Sequence, residues 1–167
     1  LYDAIIRQFA MQPSRRQSSE RAPARFTSEV GKQHPLRILV AEDNVVNQKV
    51  AVCILAKLGY RVDTVSNGIE AVEAVKRVVY DLVLMDGQMP EMDGEQASIQ
   101  IRKEVPASRQ PWIVAMTANV MKDDRERYQA AGMNDYISKP VRIERLVEVL
   151  LSVHQVSDRT GLEALGV

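Results

Sequence analysis

Asp81-Leu82-Val83-Leu84-Met85-Asp86 is the stretch that decides the fold. Its apolar residues run unbroken between two carboxylates. A strand with one wet face alternates polar and apolar residues; a strand covered on both faces does not. The run therefore reads as a central strand of a parallel sheet with helices on each side. It leads into Gly87-Gln88-Met89-Pro90-Glu91-Met92-Asp93-Gly94, a loop by its Gly and Pro content, and then a helix to about Lys103.

The pattern repeats on either side. Leu36-Arg37-Ile38-Leu39-Val40-Ala41 is strand-like and ends in Glu42-Asp43-Asn44. Val46, Val50, Cys53, Ile54 and Leu58 then recur at three- and four-residue steps, which predicts a helix with those residues on its buried face, closed by Gly59. Arg61 to Val65 alternates as a short strand, Ser66-Asn67-Gly68 is a turn, and Ala71, Val72, Val75 and Val79 mark a second helix. Pro106 and Pro111 frame a loop before Trp112-Ile113-Val114-Ala115-Met116, which ends in Thr117. Met121 to Ala131 is a polar helix stopped by Gly132. Asp135-Tyr136-Ile137-Ser138 runs into Lys139-Pro140, and Val141 to Leu151 is the last amphipathic helix. Strands alternating with helices signal a parallel sheet with crossover helices.

The 167 residues suffice for one domain with flanking segments, and 46% hydrophobic with 26% charged residues is ordinary globular composition. Twenty-two basic and 22 acidic residues give a net charge of +0, against a dedicated nucleic-acid binder. No apolar run is long enough for a membrane span, so no direct membrane insertion is expected. The one cysteine, Cys53, excludes an internal disulfide and reads as core packing. The chain opens on Leu1 rather than Met and reads as part of something larger. Residues 1–10 have helical spacing and are expected to end a preceding domain or form a linker helix. Residues 11–35, rich in Ser, Arg, Gln and Pro, are expected to be a flexible linker. The compact domain is expected over 36–151, with 152–167 as a tail or linker.

In an open parallel sheet the carboxyl ends of the strands share one edge, where ligands bind. That edge would gather Glu42, Asp43, Asp86, Thr117 and Lys139 from segments far apart in the chain. Mg²⁺ takes oxygen ligands and typically combines one or two carboxylates with a phosphate. Asp86 can act as a nucleophile toward phosphorus once the charge there is neutralised, and Lys139 can take part of that charge. Taken alone, the commoner reading of Glu42-Asp43 is a helix N-cap, of Lys139 a surface lysine and of Thr117 an ordinary strand residue. Their coincidence at successive strand ends argues against those readings. No Gly-x-x-x-x-Gly-Lys-Ser/Thr and no Gly-x-Gly-x-x-Gly follows a strand, so nucleotide binding has no support.

Together these stretches resemble the receiver domain of two-component response regulators. The resemblance rests on Ile38 to Asn44, Asp81 to Asp86, Met89 to Gly94, Val114 to Ala118 and Asp135 to Pro140, in order. It implies a flavodoxin-like, doubly wound sheet of five parallel strands, order 2-1-3-4-5, with helices on both faces. It implies phosphotransfer from a phosphohistidine to Asp86 with Mg²⁺. Glu42 and Asp43 match the acidic metal pair, and the Gln88 backbone carbonyl a further ligand. Thr117 and Tyr136 match the switch positions and Lys139 the phosphate-binding lysine. Gln88 and Asn119 match positions that tune acyl-phosphate lifetime, and Lys139-Pro140 a bond commonly cis. Gly87 departs from the pattern: a larger apolar residue is usual there, and glycine is expected to loosen the loop.

Glu42-Asp43-Asn44-x-x-Asn47-Gln48, Met116-Thr117-Ala118-Asn119 and Ala131-Gly132-Met133-Asn134-Asp135-Tyr136 are most similar to receivers inside hybrid histidine kinases. The implied partners are a kinase phosphohistidine domain and a histidine phosphotransfer domain, in the cytoplasm, within a parent that can be membrane-anchored. An alternative is a docking module that binds a partner enzyme or the kinase core through the face of the fourth helix, fifth strand and fifth helix (α4-β5-α5). A phosphohydrolase is disfavoured, because Gln88 stands where a second carboxylate would serve as acid-base.

Overall fold

The computed structural model describes residues 30–118 and 122–164. A single helical turn, Val30–Gln33, precedes β1 (Ile38–Ala41). There follow α1 (Val45–Lys57), β2 (Val62–Val65), α2 (Gly68–Arg77), β3 (Leu82–Asp86), α3 (Gly94–Glu104), a 3-10 turn (Ala107–Arg109), β4 (Trp112–Thr117), α4 (Lys122–Ala130), β5 (Asp135–Ser138) and α5 (Ile143–Ala164). The five strands form one sheet in the order β2-β1-β3-β4-β5, all neighbouring pairs parallel. This is the doubly wound flavodoxin-like arrangement expected from the sequence.

The central strand is buried at every position, as its unbroken apolar run requires. Strand residues alternate between two cores. Ile38, Val40, Leu82, Leu84, Val114 and Ile137 pack with Ala51, Leu55 and Leu58 of α1 and Leu146, Val149 and Leu150 of α5. Leu39, Ala41, Val83, Met85, Ile113 and Ala115 pack with Ala71, Val72 and Val75 of α2, Ala97 and Ile101 of α3, and Tyr128 of α4. Each fully buried leucine or isoleucine contributes on the order of 2 kcal/mol relative to exposure. Register places Ala41 beside Met85 and Asp86 beside Met116, so the ends of β1, β3 and β4 share one edge.

Three expectations need correction. Of the predicted stripe on α1, Leu58 is buried and Ile54 packs against the first core, joined by Ala51 and Leu55, whereas Val46 is 69% exposed and Cys53 is exposed. This helix is apolar over most of its circumference, so spacing alone does not select its face; Cys53 is not a core residue. Residues 30–34 are not linker: Val30 packs on the first core, and the Gly31 N–H donates to the Leu58 carbonyl at 2.8 Å. The last helix continues to Ala164, because no proline interrupts it after Leu151. The readings of residues 1–10 and of most of 11–35 lie outside the described residues. Among the described residues, no helix is long and apolar enough to cross a membrane.

Candidate functional site

At the carboxyl edge of the sheet lies a cleft of about 1070 Å³, lined by Glu42, Asp43, Asp86, Gly87, Gln88, Thr117 and Lys139 among others. β1 delivers Glu42 and Asp43, β3 ends in Asp86, β4 ends in Thr117, and β5 leads into Lys139. Glu42, Asp86 and Thr117 are buried.

Asn44, not Glu42 or Asp43, caps α1: its Oδ1 accepts from the N–H groups of Val46 and Asn47. The two carboxylates before it are therefore not consumed as the helix cap. Glu42 is instead held by its neighbours. Its Oε1 accepts from Asn47 Nδ2 at 3.1 Å, and Gln48 Nε2 donates to its carbonyl and to that of Val65. The sequence reading carries Asn47 and Gln48 only as part of the resemblance and gives them no role at the site, although both follow the acids by one helical turn.

Lys139 Nζ stands 2.7 Å from Glu42 Oε2 and 2.8 Å from Asp86 Oδ2. Burial alone would lower the pKa of this ammonium, but the hydrogen bonds and charges of Asp86 and Glu42 outweigh it and hold it above the ordinary lysine value. The Lys139 N–H donates to the Thr117 carbonyl at 2.7 Å, tying β5 to β4 at the site, and the Lys139-Pro140 bond is cis. The other Asp86 oxygen, Oδ1, accepts from the Gln88 N–H at 3.2 Å.

One oxygen from each of Glu42, Asp43 and Asp86 can be chosen so that all three lie within 4.8 Å of one another. An all-oxygen, carboxylate-rich set of this kind fits Mg²⁺. The loop beyond Asp86 is folded back tightly. The Gly87 N–H donates to the Met116 carbonyl, the Gly94 N–H donates to the Gly87 carbonyl, and a Cβ on Gly94 would collide with the carbonyl oxygen of Asp86. Asp93 and Gln96 close a capping box at the start of α3. The loop is thus tied at both ends by backbone hydrogen bonds.

Tyr136 does not line the acid cleft. It is half-buried against the second core and borders a small cavity with Tyr128 and Met133. Asn119 lies outside the described residues. Tyr128 and Arg127, unmarked in the sequence reading, do line the cleft.

Comparison with known proteins agrees with this geometry. The description "Response regulator receiver domain" matches residues 38–151. A Dictyostelium discoideum protein, hybrid signal transduction histidine kinase H, is 42% identical over 120 residues, covering 70% of this chain and 9% of that protein. The aerobic respiration control sensor protein ArcB of Escherichia coli is 41% identical over 123 residues, covering 74% of this chain and 16% of that protein. The chain therefore spans only a small part of the curated relatives it matches. Among solved structures, the receiver domain of a Pseudomonas aeruginosa sensor histidine kinase is 42% identical with a TM-score of 0.66, covering 72% of this chain and 98% of that one. That structure holds a magnesium ion in its active-site cleft. A chain in the co-crystal of the Saccharomyces cerevisiae phosphotransfer protein Ypd1 with the receiver domain of Ssk1 is 30% identical with a TM-score of 0.67, covering 73% and 90%.

Proposed function

The chain belongs to the response regulator receiver domain family, and from that premise we propose that Asp86 accepts a phosphoryl group within a phosphorelay. The observation that carries this is the setting of the Asp86 carboxylate: buried, 2.8 Å from the Lys139 ammonium, and clustered with Glu42 and Asp43.

The transfer is a displacement at phosphorus. An Asp86 oxygen attacks the phosphorus of a phosphohistidine and the O–P bond forms. The P–N bond breaks, and its electron pair returns to the imidazole, which regains a proton from solvent. Lys139 is placed to neutralise charge on the phosphoryl oxygens. Thr117, at the end of the neighbouring strand, is the hydroxyl that senses them. Glu42, Asp43 and Asp86, with the Gln88 carbonyl, would hold Mg²⁺. The ion supplies charge neutralisation and orientation at the phosphoryl group. The Gln88 side chain, exposed beside Asp86, and Asn119 are assigned to tuning phosphoryl lifetime, and Tyr136 to reporting the switch on the α4-β5-α5 face.

The partners are the phosphohistidine domain of a hybrid histidine kinase and a histidine phosphotransfer domain, in the cytoplasm where phosphodonors are. A phosphohistidine-loaded kinase domain, mixed with this chain and then with a phosphotransfer domain, tests the relay. Label should pass through the wild-type chain and stop at the kinase when Asp86 is Asn. Transfer through the Asp86→Asn chain would refute the assignment.

A further inference from the structure

We propose that Tyr128 is a positioning residue of the phosphoryl site, that Gly87 is its complement, and that the pair sets how long a phosphoryl group stays on Asp86. This rests on the reading of Asp86 as acceptor.

The argument begins with why residue 87 is glycine. Among the described glycines only Gly59 and Gly132 take positive φ, so backbone conformation does not demand glycine at 87. Space does. A Cβ at Gly87 would stand 3.1 Å from the Tyr128 hydroxyl oxygen and 3.9 Å from its Cε1, with the Met116 carbonyl oxygen at 3.8 Å. The first distance is shorter than ordinary van der Waals contact. The slot that a side chain at 87 would fill is taken by a phenol arriving from α4.

Tyr128 reaches that slot from the core. Its residue is 5% exposed and it belongs to the second core with Met85 and Met133. It lines the acid cleft together with Asp86, Gly87, Thr117 and Lys139. It also lines the small cavity shared with Met133 and Tyr136. One side chain therefore runs from the α4-β5 groove to the residue after the acceptor. Its chain neighbour fastens it there. Arg127 Nε lies 2.7 Å from Glu95 Oε1 in the first turn of α3, and its guanidinium stands 5.6 Å from the Tyr128 ring centroid.

Phosphoryl loss is attack of water on phosphorus. A new O–P bond forms, the bond to Asp86 breaks, the carboxylate regains its electron pair, and phosphate leaves with the protons passing to solvent. Its rate depends on how water reaches the site. A buried ring seated beside Gly87 walls off that side.

The experiment measures the half-life of the phosphorylated chain by intact mass after acetyl phosphate is removed, with Tm recorded for each variant. Tyr128→Ala should shorten the half-life by about threefold or more. Gly87→Ala should change it by about twofold or more in the Tyr128 background and leave it nearly unchanged in the Tyr128→Phe background, where the obstructing oxygen is gone. A half-life unmoved by Tyr128→Ala, or a Gly87→Ala effect equal in both backgrounds, overturns the proposal. If Tyr128→Ala fails to fold, the Gly87→Ala and Tyr128→Phe cycle decides alone. An adduct that forms on wild type and is lost with Asp86→Asn, yet is indifferent to residues 87 and 128, removes this proposal and leaves Asp86 in place. No phosphorylation of wild type, from acetyl phosphate or from a phosphohistidine-loaded kinase domain, removes both.

Discussion

Lys139 Nζ lies 2.8 Å from Asp86 Oδ2, two residues brought together from the ends of β5 and β3. The same ammonium is 2.7 Å from Glu42 Oε2, in a residue only 1% exposed. Two buried acids thus share one cation whose side chain is itself 18% exposed. On the function proposed above, the acids would have two uses: neutralisation by lysine, and binding a divalent ion with lysine turned to the phosphoryl group.

Lys139→Ala should therefore act on both stability and chemistry. It leaves the Glu42 and Asp86 carboxylates without their shared cation, which costs about 3 kcal/mol in a chelator-containing buffer. Urea unfolding should show that loss, and millimolar Mg²⁺ should recover part of it. Phosphorylation should fall sharply even with Mg²⁺ present.

Gly94→Ala drives a Cβ into the Asp86 carbonyl and should cost roughly 1–3 kcal/mol through displacement of the acceptor loop. Thermal unfolding and phosphorylation should decline together. Unchanged Tm would mean that the loop does not hold this close approach.

Arg102 joins three segments and has no carboxylate partner among the described residues. Its guanidinium donates to the carbonyls of Gly132 and Pro111 and to the side-chain oxygens of Gln110 and Asn134. Burial lowers its pKa. Arg102→Ala should cost about 2 kcal/mol or more in denaturant unfolding, and lysine should rescue poorly because it lacks the forked donors.

Alkaline pH should reveal two tyrosines. Burial pushes Tyr60 up to about 12; burial, then the hydrogen bond to Asp63, pushes Tyr80 up to about 12. Folded values above the ordinary 10 mean that the folded state holds these protons more tightly. Their stabilising contribution is full below pH 10 and is lost as pH rises toward 12. Tm should fall across that window, and phenolate absorbance should show two late-titrating groups that Tyr60→Phe and Tyr80→Phe remove one at a time.

Cys53 should react with iodoacetamide in the native protein, with Tm unchanged, since the residue is exposed on α1. Leu55→Ala, on the buried stripe of the same helix, should cost about 2–5 kcal/mol.

Cys53 and Leu55 also show where sequence reasoning ended. The strands were legible because apolar runs end in chemistry-bearing residues, and a parallel topology sends all those ends to one edge. That logic located Glu42, Asp43, Asp86, Thr117 and Lys139. It could not choose the buried face of α1, where apolar residues surround most of the helix. It could not foresee Tyr128, whose reach to Gly87 depends on how α4 packs rather than on any spacing. Val30 and Gly31 gave no signal either, because one helical turn is too short for periodicity and its anchor, the Leu58 carbonyl, is tertiary.

The central claim is that Asp86 is the acceptor, and intact mass after incubation with acetyl phosphate tests it most directly. The account predicts an adduct of about 80 Da, one phosphoryl group, that requires Mg²⁺ and disappears with Asp86→Asn. An adduct of the same mass that persists in Asp86→Asn, or one that forms fully in chelator, would contradict it.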